Sequence, residues 1–140
     1  MTLALVPIPP DCLDGSREFW FPYLILISER DKCDPAEKER MLRATEAQAF
    51  LVWDDEARKP QAFLGVRYVL RGKDRVGELI WLMGENRARW AHLFGELETF
   101  LREHQGCKAI KAIARPGWTK HLKSHGYRET HCVFEKEFAS

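Results

Sequence analysis

A chain of 140 residues that is 45% hydrophobic and 31% charged can bury the core of one domain and has no signature of disorder. Its formal net charge of +1 argues against a dominant electrostatic partner such as duplex DNA or an anionic membrane. No apolar run approaches a membrane span, and "MTLALVPIPP" lacks the basic start and small-residue cleavage site of a signal peptide, so a cytoplasmic setting is expected.

"TLALVPIPP" alternates and then meets prolines, which predicts a strand ending near Pro7. In "DGSREFWFPYLILISER", Phe19, Trp20, Tyr23, Leu24 and Ile27 recur at helical spacing, with Ser16 as cap and Pro22 delaying or kinking the helix. "DPAEKERMLRATEAQ" predicts a second helix: Asp34 caps, Pro35 takes the first position and Glu37 completes a capping-box pattern. "QAFLVWDDEARKPQAFLGVRYVL" reads as a hairpin turning at Asp54–Pro60, and "GKDR" turns again into "VGELIWLM". "ARWAHLFGELETFLREHQGC" puts Trp90, Leu93, Phe94, Leu97, Phe100 and Leu101 on one helical stripe that Gly106 ends. A short strand "KAIKAIA", a short helix in "RPGWTKHLKSHGY" stopped by Gly126, and a last strand in "RETHCVFEKEF" complete the order. With no repeat or linker, this predicts a single α/β domain with a mixed sheet flanked by helices.

Four scattered cysteines, Cys12, Cys33, Cys107 and Cys132, are expected as mostly buried thiols rather than a disulfide framework. His121, His125, His131 and Cys132 resemble a metal set in residue type, but His121 and His125 flank an apolar face, so packing is expected and no metal site is assigned. Phe19, Trp20, Phe21 and Tyr23 cannot all point inward from one helix; core, acceptor pocket and protein interface stay open. Arg115, Trp118, Lys120 and Lys123 make the last helix basic, without a clear nucleic-acid signal against the surrounding acids. No G-x-S-x-G, P-loop or dinucleotide fingerprint is present, so nucleotide hydrolysis and serine hydrolysis are unsupported.

The element order, with the ending "GCKAIKAIARPGWTKHLKSHGYRETHCVFEKEF", resembles the GNAT superfamily of acyl-CoA N-acyltransferases over most of the chain. The "RPGW…L…GY" variant also resembles GNAT-like proteins of tailed bacteriophages, some carried in the virion, which implies host cytoplasm or virion and protein partners or self-assembly. The resemblance implies that "GELIWLMG" lines a pantetheine arm, with Leu79, Trp81 and Met83 at the cofactor-binding strand and Glu78 as the candidate base. It also implies an R-x-x-G-x-G/A loop around the pyrophosphate, where glycines let backbone N–H groups reach phosphate oxygens. Here residues 85–90 contain no glycine, and Arg87 and Arg89 are the candidate side-chain ligands instead. The general-acid tyrosine of the family falls on Leu122, which donates no proton; His121, His125 and Cys132 are its neighbours. Two readings follow: a degenerate, non-catalytic GNAT-like binding module with no required cofactor, or an acetyltransferase using acetyl-CoA as cosubstrate on an amine.

Overall fold

The computed structural model describes residues 2–85, 87–113, 116–130 and 136–138. Five strands join one sheet in the order β1-β2-β3-β4-β5: β1 (Leu3–Ile8), β2 (Ala47–Asp54), β3 (Lys59–Arg71), β4 (Asp74–Gly84) and β5 (Ala109–Ala112). The first four pair antiparallel, and β5 runs parallel to β4, so the sheet is mixed.

Strand periodicity assigns the two faces. Ala47, Ala49 and Leu51 of β2 look to one side, where they meet Trp20, Leu24 and Ile27 of α1 (Leu13–Asp31) and Leu42 of α2 (Pro35–Arg43). Phe50 and Val52 look to the other and meet Phe94, Leu97 and Leu101 of α4 (Phe94–His104). The sheet is thus buried on both faces, as the expected architecture requires.

Several local expectations change. α1 starts at Leu13, after a 3-10 turn at Pro10–Cys12, so Ser16 is inside the helix and its hydroxyl donates to the Cys12 carbonyl at 2.7 Å. Pro22 is exposed, and the helix runs through it from Leu13 to Asp31. Asp34 does cap α2, accepting from the Ala36 N–H at 2.9 Å, while the Glu37 carboxylate turns to Arg40 instead of closing a capping box. The single helix expected after β4 is broken into α3 (Arg87–Trp90), a 3-10 turn at Ala91–Leu93 and α4, because Trp90 leaves helical geometry at φ −124°. Of the predicted stripe, Trp90, Leu93, Phe94, Leu97 and Leu101 are buried and Phe100 packs at its rim.

α5 (Thr119–Ser124) stops two residues before Gly126, whose φ of +86° suits glycine. The last expected strand lies largely on residues 131–135, outside the described residues, and 127–130 and 136–138 are not strand. Cys12 and Cys33 are exposed thiols and Cys107 is buried, which corrects the expectation of mostly buried cysteines; Cys132 lies outside the described residues.

Candidate functional site at the end of β4

Two features of β4 create an opening. Gly65 pairs with Trp81 while Val66 pairs with Leu79, so Ile80 is an extra residue bulged out of the β3–β4 ladder. The bulge turns both Ile80 and Trp81 toward α1, whereas Leu79 and Leu82 belong to the α4 side. On the other edge, pairing with β5 stops at Leu79, whose carbonyl accepts the Ile113 N–H at 3.0 Å. From Ile80 to Gly84, β4 has no partner on that edge among the described residues.

Gly65 exists because Trp81 lies across it: a Cβ there would stand 2.2 Å from the Trp81 Cε3 atom. Gly84 is pinned in the same way, since its Cβ would meet the Ala62 backbone at 2.8 Å, and the next N–H, of Glu85, donates to the Gln61 carbonyl at 3.0 Å.

Glu78 sits directly between Arg67 on β3 and Lys111 on β5. Its Oε1 accepts from the Arg67 Nε and an Arg67 terminal nitrogen at 3.0 and 2.6 Å, and Lys111 Nζ is 3.7 Å from Oε2. The carboxylate is buried on the α1 side and is already held by two cations. Leu79 is core. Trp81 stacks at 6.3 Å on Phe63 and lies 5.7 Å below the Lys38 ammonium, and Met83 packs beside them.

In the loop after β4, Trp90 is 1% exposed, and its indole N–H donates to the Glu85 carbonyl at 2.7 Å. Arg89 reaches back to Asp54 at 3.3 Å, and Asp54 also accepts the N–H groups of Glu56 and Ala57 at the β2–β3 turn. The Ala57 amide first, then Arg89 and the Glu56 amide, hold the Asp54 carboxyl below its usual pKa. Arg87 lies 4.5 Å over the Trp118 ring and donates to the Gly117 carbonyl at 3.2 Å. Thus Arg87 and Arg89 leave the loop in different directions; Asn86 between them lies outside the described residues.

On α5, Leu122 is half-buried. His121 packs on Phe94 and Trp118 and lies 4.4 Å from the His125 ring; burial first, then His125 and Arg87, lower its pKa. The Tyr127 hydroxyl donates to Glu98 at 2.9 Å, and burial together with that carboxylate pushes its pKa up, so it is a packing group with an occupied proton. Among the described residues no group of three or more His, Cys, Asp or Glu side chains could hold a metal ion, and His131 and Cys132 lie outside them. No helix of the described residues is long and apolar enough to cross a membrane.

Sequence reasoning missed Arg67, Lys111 and Asp54 as partners of the candidate residues, and the polar groups near the end of β4. There the Tyr23 hydroxyl is 3.4 Å from the Pro60 carbonyl, its pKa raised by burial and then by Glu85, and the Gln61 Oε1 is buried without a partner among the described residues. The aromatic cluster resolves as core and rim: Trp20 is fully buried, and Phe19, Phe21 and Tyr23 are half-buried against the sheet.

No family model matches the sequence, and no curated protein matches it. Solved structures do match in shape. Ribosomal-protein-alanine N-acetyltransferase from Brucella melitensis biovar Abortus 2308 superposes with a TM-score of 0.69 at 13% identity, covering 99% of this chain and 100% of that one. An aminoglycoside acetyltransferase from an uncultured soil metagenomic sample gives 0.70 at 14% identity, again over 99% and 100%. AAC(6')-Iy, in complex with the bisubstrate analogue CoA-S-monomethyl-acetylneamine, gives 0.66 at 16% identity over 100% of both chains. A mixed five-stranded sheet with helices on both faces, superposing end to end on these chains, is the GNAT acetyltransferase fold.

Proposed function

We propose that this chain is a GNAT-superfamily protein, one domain over residues 1–140, that serves as a binding module rather than as an acyltransferase. The observation that carries this reading is the loop after β4. Its Trp90 ring is buried with the indole N–H spent on the Glu85 carbonyl, and Arg89 is spent on Asp54. A pyrophosphate cradle needs open backbone amides and free cations, and here the Glu85 amide is taken by the Gln61 carbonyl and Arg89 by Asp54. Glu78 is likewise saturated by Arg67, and Leu122 has no proton to give a leaving thiolate. A phage-type role, in the host cytoplasm or within a virion, with protein partners or self-assembly, is the setting that fits a fold retained without its chemistry.

The second reading rests on a separate observation, the bulge at Ile80 and the unpaired edge of β4 beyond Leu79. That slot suits a pantetheine arm along Leu79, Trp81 and Met83, with Arg87 and Arg89 swung onto phosphates. An amine would sit on the α1 side, near Tyr23 and Gln61, and Glu78 or an ordered water would take its proton. Acetyl-CoA would then be the cosubstrate.

Calorimetric titration with acetyl-CoA, with desulfo-CoA and adenosine diphosphate as controls, decides between them. The binding-module reading expects no heat at millimolar ligand from a folded protein. Micromolar binding that the Arg87→Ala/Arg89→Ala double variant abolishes would replace it with the enzyme reading.

A further inference from the structure

At the opposite end of the sheet from the β4 slot, β1 and β2 stop while the β3–β4 hairpin runs on. β2 pairs with β3 only as far as Ala47 with Arg67, and Tyr68 to Arg75 project beyond. This step borders a half-open cavity of about 240 Å³. One half of its wall is apolar, from Ile8, Leu13, Leu42 and Ala49, all buried members of the α1-side core. The rest of the wall carries the hydrogen-bond donors Arg75, Gln48 and Gln105, with Tyr68, Thr45, Pro10 and Ala47 beside them.

Arg75 makes no ion pair among the described residues; its guanidinium lies 4.3 Å over the Tyr68 ring. The Tyr68 hydroxyl donates to the Gln48 Oε1, which fixes that amide and leaves its N–H donors without a partner among the described residues. Burial holds the Tyr68 proton on, its pKa pushed up by that cause first, so this phenol stays a donor. A cavity with a guanidinium fork that makes no ion pair among the described residues, amide donors beside it and an aliphatic wall has the complement of a small amphiphilic monoanion. One positive charge suits a carboxylate better than a dianion, and the fork matches two carboxylate oxygens. The volume lies just below the roughly 300–1,000 Å³ of drug-sized sites, which limits the tail to a few carbons.

We propose that this cavity is a binding site for a short-chain monocarboxylate, with the carboxylate on Arg75, Gln48 and Gln105 and the alkyl tail against Ile8, Leu13 and Leu42. It lies away from the β4 slot and does not depend on whether that slot binds CoA.

The probe is butyrate, followed by ¹H–¹⁵N correlation spectra of the full chain, with butyramide and inorganic phosphate as comparisons. Saturable shifts are expected with butyrate at the amides of Thr45, Arg75 and Gln105, with butyramide and phosphate each weaker by about tenfold or more. Arg75→Gln, at an exposed position that leaves the core untouched, should weaken butyrate by about tenfold as well. Butyramide or phosphate matching butyrate, shifts that do not saturate, or an Arg75→Gln variant that binds unchanged would each overturn the assignment. If that variant misfolds, the butyrate–butyramide comparison on the unaltered chain decides alone.

Discussion

Arg67 and Glu78 face each other across β3 and β4, joined by two N–H···O contacts of 3.0 and 2.6 Å to a single carboxylate oxygen. Lys111 stands opposite Glu78 on the other side, so one row across three strands reads cation, anion, cation. A buried carboxylate between two half-exposed cations is held in place more than it is stabilised. Its desolvation offsets much of the attraction, and removing one partner exposes that cost.

Arg67→Met should therefore destabilise the fold by about 1–2 kcal/mol in urea unfolding, less than for a fully enclosed pair because the arginine remains partly in water. Arg67→Met/Glu78→Met should recover most of that loss. A double variant as unstable as the sum of the two single ones would show the two side chains to be uncoupled.

Gly65 tests the bulge. With Trp81 Cε3 at 2.2 Å from its virtual Cβ, Gly65→Ala must push the ring off the strand. The expected cost is about 1–3 kcal/mol, with a change in tryptophan fluorescence as Trp81 loses its stack on Phe63. Unchanged stability would mean that the ring has room to move and does not lock the bulge.

What the sequence made legible was local. Alternation placed the faces of β2, and the turns at 54–60 and at Gly72 were marked by residues whose backbone preferences are intrinsic. The bulge at Ile80 was invisible because it is a relation between two strands, and a one-residue slip leaves no mark on either alone. The pairing of Arg89 with Asp54 spans 35 residues, and the Arg67–Glu78–Lys111 row needs the register of three strands. The break at Trp90 was missed for a different reason. Its ring fits both a helical stripe and the pocket under the loop, and tertiary packing chose the second.

The thiols give a check on topology. Cys12, at the entry to α1, and Cys33, just beyond its end, are exposed, while Cys107 is covered by the α4-side core. Iodoacetamide followed by peptide mapping should label Cys12 and Cys33 in the native protein and spare Cys107 until denaturant is added. Burial also pushes the Cys107 thiol pKa up, which slows its reaction further. Equal labelling of all three would contradict the packing of the α4–β5 connection on the sheet.

His121 predicts how stability responds to acid. Burial against Phe94 and Trp118, then His125 and Arg87, hold its pKa below the ordinary histidine value, and its Nε2 has no hydrogen-bond partner among the described residues. In the unfolded chain it gains a proton near pH 6.5, before the folded chain does. Over that interval the unfolded state binds more protons, so the stabilisation present above about pH 6.5 is lost as pH falls toward the lower folded value. His121→Leu keeps an apolar contact with Phe94 and Trp118 and removes the titration. The urea midpoint of the variant should fall less than that of the parent between about pH 7 and pH 5. Parallel curves would show that His121 does not set the acid sensitivity over that range. Asp54 acts elsewhere on the pH axis. Its pKa is depressed by the Ala57 and Glu56 amides and by Arg89, so its share is lost only lower, as pH falls through the folded carboxylate value. The two contributions separate on the pH axis, and the His121→Leu curve should rejoin the parent's shape once only carboxylates titrate.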